Sequence, residues 1–166
     1  MKTHYATILF TSDYGPGSRR VFRSAVLTAR LHGAALHVLH VDSEVEEAVV
    51  QSVATVMGGD KLINEEKEYR AEQKEALSKH FLESGDPGLQ AVLEELEKDL
   101  VFEVRSGRPV ATILAYADEI QADLIVIGAR RRGAMRSSLL GAVAERLLRR
   151  TARPVLVIPP EDADGF

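Results

Sequence analysis

Five stretches of the chain are dominated by apolar side chains, and each has the length of one β-strand. Four of them are nearly continuous and rich in β-branched residues, which is typical of parallel strands covered on both faces. The fifth alternates apolar and polar positions, so we expect it at a half-exposed edge of the sheet. The continuous stretches are Ala6–Thr11, Ala35–Val41, Asp123–Gly128 and Pro154–Ile158, and the alternating stretch is Leu100–Arg105.

Three segments between these strands carry apolar residues at helical spacing, and each predicts a helix with one buried face. Ser18 is the candidate N-cap of the first helix and Gly33 its stop, and Pro109 suits the first position of the second helix. The apolar positions are Val21, Phe22, Ala25, Val26 and Ala29, then Val110, Ile113, Leu114 and Ala117, then Leu139, Leu140, Val143, Ala144, Leu147 and Leu148. Alternating strands and helices predict an α/β fold, a parallel sheet with helices on both faces.

The connection between the second and third strands, residues 43–99, is much longer than the others. It holds a valine-rich helical piece (Val45, Val49, Val53, Val56), a break at Gly58 and Gly59, a charged helical stretch through Leu82, and a short helix with Leu89, Val92, Leu93 and Leu96. Because this connection has no core of its own, we expect a helical insertion within a single domain spanning residues 1–166. The Glu/Lys-rich run Glu65–Lys79 is expected to form a solvated helix face.

Composition narrows the class of protein. The 166 residues are 45% hydrophobic and 28% charged, as expected of one globular domain. The absence of cysteine excludes disulfides, thiolate catalysis and Cys-ligated metal sites. No apolar run approaches the roughly 20 residues that span a bilayer, and the first residues lack the apolar region of a signal peptide. We therefore expect a soluble, cytoplasmic protein without membrane contact.

The net charge of −4 hides a local basic cluster. Eight arginines and one acid, Glu145, lie between Arg130 and Arg153, so this stretch carries +7 and the remainder −11. A basic patch on an acidic protein favours a small anionic ligand. Nucleic acid is a poor fit, because no aromatic residue that could stack on a base lies between Tyr116 and Phe166.

Several separated segments resemble the universal stress protein family in order and spacing. They are Thr11-Ser12-Asp13 after the first strand, His40-Val41 at the end of the second, Gly107-Arg-Pro109, Ala122-Asp123-Leu-Ile-Val-Ile-Gly128, Leu139-Leu-Gly141-Ala-Val-Ala-Glu145, and Pro154-Val-Leu-Val-Ile-Pro159. The resemblance covers about residues 5–42 and 100–160. It implies a five-stranded sheet of order 3-2-1-4-5, whose topology reverses between strands 1 and 4.

Ligands of open α/β sheets bind outside the carboxyl ends of the strands, at such a reversal. Here the loops concerned are residues 11–17 and 129–137, and the second one leads into the start of the last helix. Free N–H groups and the positive end of the helix dipole favour a phosphate at that start. The resemblance therefore implies that ATP or another adenine nucleotide binds there, with Mg²⁺ accompanying a bound ATP.

Nucleotide-binding members of the family carry Gly-x2-Gly-x9-Gly-Ser/Thr in this region. Gly128 matches the first glycine and Gly141 the third, whereas Arg131 replaces the second glycine and Ala142 replaces the Ser/Thr. Arg131 places a long side chain where the backbone passes close to the ligand, and Ala142 lacks a hydroxyl donor. Arginines in the loop, Arg130 and Arg131 among them, could instead supply charge-assisted contacts to phosphate.

The resemblance, together with the charge of the two loop arginines, assigns ten residues to the nucleotide site: Thr11, Ser12, Asp13, Val41, Gly128, Arg130, Arg131, Gly141, Ala142 and Val143. Two of them have an alternative. Asp13 either accepts hydrogen bonds from ribose hydroxyls or caps the turn that follows it. Val41 either lines the adenine side of the site or is a core residue.

Other candidate sites fail on spacing. A Gly15-x-Gly17 pair mimics a dinucleotide fingerprint, but Arg20 occupies the position of its third glycine. His37 and His40 lie on opposite faces of a strand and cannot share a metal ion. No general base or set of metal ligands is apparent, so the sequence predicts no catalytic or metal residues and favours a regulatory binding module over an enzyme. Two alternatives stay open: a member that binds no nucleotide and acts through protein contacts, and a slow nucleotide hydrolase.

The last strand predicts a homodimer. Val155, Leu156, Val157 and Ile158 lie between prolines, which are tolerated at strand starts and at sheet edges. An unpaired apolar edge is an aggregation hazard, and pairing with a two-fold mate removes it. The family resemblance implies the same dimer.

Overall fold

The computed structural model describes residues 3–15, 17–43, 55–56, 59–83, 85–129 and 140–159, without the side chains of residues 59–63. Five strands form one sheet of order β3-β2-β1-β4-β5, and all neighbouring pairs are parallel. The strands are β1 (Thr7–Ser12), β2 (Ala35–Asp42), β3 (Leu100–Ser106), β4 (Leu124–Gly128) and β5 (Val155–Ile158). The predicted fold class and strand order are confirmed, the alternating strand β3 lies at an edge, and strand ends differ from prediction by no more than one residue.

Five α-helices have both ends in the described part of the chain: α1 (Ser18–His32), α2 (Gly59–Leu82), α3 (Pro87–Leu96), α4 (Pro109–Glu119) and α5 (Ala142–Arg150). A short 3₁₀ turn, Glu97–Asp99, follows α3. Gly33 ends α1 in a left-handed conformation and Pro109 begins α4, both as predicted. The prediction that Ser18 is the N-cap of α1 was wrong. Ser18 is the first helical residue, and the cap is Gly17, whose φ of 83° suits glycine and which provides no side-chain acceptor.

The two faces of the sheet carry separate hydrophobic cores. One core is formed by the inward face of α1 with Leu77, Phe81 and the apolar face of α3. The other is formed by α4 and α5. Phe10 and Leu9, neighbours on β1, belong to different cores because side chains alternate along a strand.

The insertion contributes to the first core. Leu77 and Phe81 on α2 are fully buried, although they lie in or beside the run predicted to be solvated. The polar face of α2 contacts the sheet edge: Lys74 Nζ lies 2.9 Å from Glu103 Oε2 on β3. The expectation for Glu65–Lys79 was therefore wrong at Leu77. The predicted positions Val45, Val49 and Val53 lie outside the described residues, and Val56 is exposed.

The apolar stripe of the last helix is only partly buried. Helix α5 begins at Ala142, so Leu140 precedes it, and Leu139 lies outside the described residues. Ala144 and Leu147 are buried, but Val143 and Leu148 are 38% and 40% exposed, contrary to the predicted single buried face. None of the described helices is long and apolar enough to cross a membrane.

Candidate functional site

The carboxyl ends of β1, β2 and β4 lie side by side, as their pairing requires. Thr11 pairs with Ile127 of β4, directly before Gly128, and Ser12 pairs with His40 of β2, directly before Val41. Thr11 and Ser12 are buried. The structure therefore brings four predicted site residues to one edge of the sheet, at the point where the topology reverses.

Asp13 caps the turn after β1. Its Oδ1 accepts a hydrogen bond of 2.8 Å from the backbone N–H of Gly15. Ser12 Oγ accepts one of 3.2 Å from the N–H of Tyr14. The side chain of Asp13 is exposed, so the capping role leaves the carboxylate accessible from solvent.

Tyr14 has an unusual backbone and side-chain environment. Its φ of 58° is left-handed, which is uncommon for a residue with a large side chain. The ring lies edge-on to His40 of β2 at 4.6 Å and to His80 of α2 at 5.2 Å, measured between centroids. The hydroxyl is buried without a hydrogen-bond partner among the described residues. Burial raises the pKa of Tyr14 to about 12, so the phenol stays protonated.

His80 joins the insertion to the start of α1. Its Nε2 lies 3.3 Å from Ser18 Oγ, and burial, together with the charge of Arg19, lowers the pKa of His80. His40 is held from the other side, where its Nδ1 donates to the carbonyl of Ser12 at 2.9 Å. Helix α2 therefore supports the loop that carries Asp13.

Sequence reasoning did not identify Tyr14 or His80. No motif marks them, and the contact between them joins distant parts of the chain. A tyrosine directly after the predicted acid was the only available signal.

Gly128 has a packing role of its own. A Cβ at this position would meet Val21 Cγ2 of α1 at 2.9 Å, closer than side-chain packing permits. The next residue, Ala129, donates its N–H to the carbonyl of Ile158 at 2.7 Å. The first glycine of the motif therefore lets α1 approach the end of β4, whatever it allows a ligand to do.

The start of α5 follows β4 along the chain and has backbone N–H groups without partners inside the helix. Gly141 is the N-cap, with φ 76° and ψ 154°, and as a glycine it has no side chain that could cap the helix. Ala142 and Val143, the first two residues of the helix, are exposed. Arg130 and Arg131 lie outside the described residues, so the structure does not test their role.

Two further predictions concern packing and metals. Val41 is half-buried against the second core, consistent with the core alternative for this residue. His37 and His40 point to opposite faces as predicted: His37 contacts Tyr116 of α4, and His40 contacts Tyr14. No group of three or more His, Asp or Glu suited to a metal ion occurs in the described ranges.

Comparison with known proteins agrees with the fold described above. A universal stress protein from Methanocaldococcus jannaschii, MJ0577, is 25% identical over 162 residues, covering 95% of this chain and 97% of the relative. A solved universal stress protein in complex with cAMP is 20% identical, with a TM-score of 0.55 and coverage of 94% and 98%. The universal stress protein of Archaeoglobus fulgidus in complex with dAMP is 23% identical, with a TM-score of 0.53 and coverage of 93% and 98%.

The assignment to a family rests on a match to a family model, that of the universal stress protein family. This model matches residues 4–159, which include every strand, every described helix and both halves of the candidate edge. The chain therefore belongs to the universal stress protein family.

Proposed function

We propose that this chain is a cytoplasmic regulatory module that binds an adenine nucleotide at the edge formed by β1, β2, β4 and the start of α5. The observation that carries the proposal is the convergence of family residues at the topological reversal. Thr11, Ser12 and Gly128 meet there, and Gly141 begins the helix that follows β4. The first N–H groups of a helix are donors for a phosphate.

Two relatives support the class of ligand. The solved neighbours named above contain cAMP and dAMP, both adenine nucleotides with a single phosphate. The present chain lacks the hydroxyl that the family motif carries after its third glycine, because Ala142 occupies that position. We therefore expect AMP to lose less affinity than ATP from this departure, since the absent hydroxyl would serve a terminal phosphate.

Asp13 is the residue whose role is most directly testable. Its cap on Gly15 needs only one acceptor oxygen, which an asparagine retains. Asp13→Asn should keep the turn and weaken AMP binding about tenfold, because a charged acceptor for the ribose hydroxyls is lost. Isothermal titration calorimetry measures this, with Asp99→Asn, on the exposed 3₁₀ turn, as a matched control that binds like wild type.

Restoring the family motif provides a test in the opposite direction. Arg131→Gly combined with Ala142→Ser should bind ATP more tightly than wild type, by roughly two- to tenfold for the restored hydroxyl alone. Equal or weaker ATP binding by the double variant would contradict the claim that these two departures impair the site.

A regulator without bound nucleotide is the second candidate. Two observations favour it. Ala142 lacks the hydroxyl that nucleotide-binding members carry at this position, and Asp13 has a structural role as the cap on Gly15 that requires no ligand. Wild-type protein that shows no heat of binding with AMP, cAMP or ATP would leave protein contacts as the function of this chain.

A further inference from the structure

Tyr14 connects the candidate nucleotide edge to the insertion helix α2. It directly follows Asp13, the predicted acceptor for the ribose. The centroid of its ring lies 4.6 Å from that of His40 on β2 and 5.2 Å from that of His80 on α2. The ring also lies nearly parallel to that of Phe81, which is fully buried in the first core, with 6.5 Å between the centroids. The turn that carries Asp13 is therefore attached to α2 through one side chain.

The conformation of Tyr14 depends on these ring contacts. Its φ of 58° is uncommon for a residue other than glycine, and such conformations persist where the surrounding structure holds them. Within the described residues its buried hydroxyl has no hydrogen-bond partner, which adds a cost of desolvation. The packing of the ring has to outweigh both costs. Weakening that packing should therefore let the turn relax, and Asp13 would move with it.

His80 is the part of this packing that belongs to the insertion and can change its charge. Its imidazole is half-buried, and Nε2 lies 3.3 Å from Ser18 Oγ. Protonation would place a positive charge in this position, close to Arg19 of α1. Burial first and the charge of Arg19 second lower the pKa of His80 for this reason. The packed arrangement therefore favours the neutral imidazole.

Two further titratable groups belong to this cluster. The phenol of Tyr14 stays protonated, because burial raises its pKa to about 12. His40 contacts the Tyr14 ring from β2, and its Nδ1 donates to the carbonyl of Ser12 at 2.9 Å. Acidification can therefore change the charge of the cluster at its two histidines, of which His80 is the one that joins α2 to the start of α1.

We propose that protonation of His80 releases Tyr14 from its packed position and so weakens nucleotide binding at the turn that carries Asp13. This regulation rests on the proposed function, and it gives the insertion helix α2 a role in that site. The packed state binds the proton less readily than the released state does. Nucleotide affinity should therefore be complete above the pKa of a free histidine, near 6.5, and should decline as the pH falls below it.

Titration calorimetry with cAMP measures this dependence. The cyclic phosphodiester carries one negative charge at both about pH 7.5 and about pH 5.5, whereas the phosphate monoester of AMP gains a proton near pH 6 and would obscure the effect. One proton whose binding is coupled to release can change affinity by at most about tenfold over this interval. We expect the affinity of the wild type to fall by about two- to fivefold at the lower pH, below that limit.

Substitution of two histidines identifies the source of the effect. His80→Gln keeps a polar partner for Ser18 but does not titrate, so its cAMP affinity should be the same at both pH values. His37→Gln is the matched control, because His37 lies on the opposite face of β2 and contacts Tyr116. This control should keep the pH dependence of the wild type.

Two substitutions of Tyr14 test the connection itself. Tyr14→Phe keeps the ring and removes the hydroxyl, so the pH dependence should persist. Tyr14→Gly accepts the left-handed backbone but removes the contact with His80, so the dependence should disappear although the histidine is still present. Circular dichroism checks that each variant is folded at both pH values.

The outcomes separate this regulation from nucleotide binding as such. Equal cAMP affinity of the wild type at the two pH values would overturn the proposal and leave nucleotide binding intact. A wild-type pH dependence in His80→Gln or in Tyr14→Gly would overturn it as well. Absence of cAMP binding at both pH values would instead contradict the proposed function, and the regulation of that site with it.

Discussion

Gly128 and Val21 illustrate how single residues shape this edge of the sheet. Gly128→Ala should destabilise the protein by about 1–3 kcal/mol, because the new Cβ would meet Val21 Cγ2 at 2.9 Å in a packed interior. Urea unfolding followed by circular dichroism measures the change in the free energy of unfolding.

A double-mutant cycle tests the cause of that loss. Adding Val21→Ala removes the atom that the new Cβ meets, so Gly128→Ala should cost clearly less in the Val21→Ala background than in wild type. Strictly additive losses would show that the contact with Val21 is not the reason.

Local spacing made some residues of the site predictable. Asp13 lies two positions before Gly15, the spacing of a side-chain cap, and Gly128 ends an apolar run before a basic loop. The conformation of Tyr14 was not predictable, because its left-handed backbone is supported by His40 and His80, which belong to other elements.

At the scale of elements, α2 should make stability depend on pH. Burial lowers the pKa of His80, so the folded state binds its proton less readily than the unfolded chain. Stability contributed in this way is complete above the unfolded pKa, near 6.5, and is lost as the pH falls below it. Arg19, Tyr14 and Ser18 are the groups that face this histidine.

His80→Gln should therefore flatten the loss of stability between about pH 7 and pH 5, since glutamine keeps a polar partner for Ser18 but does not titrate. Thermal unfolding of wild type and variant across this range provides the comparison. A variant whose melting temperature falls as steeply as that of wild type would contradict the role given to His80.

Phe81 tests whether α2 is an integral part of the fold. Its ring lies 4.7 Å from that of Phe22 and 5.5 Å from that of Phe10, and it is fully buried. Phe81→Ala should cost about 3–5 kcal/mol in unfolding free energy. Leu31→Ala, at a position 86% exposed on α1, is the control and should change stability by less than about 0.5 kcal/mol.

The strands and most helices were predictable because their periodicity reflects burial directly. The insertion was harder to predict. Among the described side chains of the charged helix, Leu77 and Phe81 are the fully buried ones, and two buried positions give little periodic signal. For the last helix the apolar pattern predicted too much burial, because Val143 and Leu148 follow the pattern yet are exposed in the single chain.

At the scale of the whole molecule, we propose a homodimer through β5. This strand lies at the end of the sheet, and its four residues are all half-buried. A mate paired along this edge would satisfy its open backbone groups. Light scattering at micromolar concentration should give twice the chain mass, and Val157→Lys should reduce it, with circular dichroism checking that the variant is folded. A monodisperse wild-type monomer would refute the proposal.

Mapping an AMP titration by ¹⁵N NMR tests the central claim, nucleotide binding at the topological reversal, most directly. We expect saturable shifts at the amides of residues 11–13, 41, 128–129 and 141–143, which lie at one edge of the sheet or at the helix start that follows β4. Shifts confined to other parts of the chain, or no saturable shift at millimolar AMP, would contradict the account.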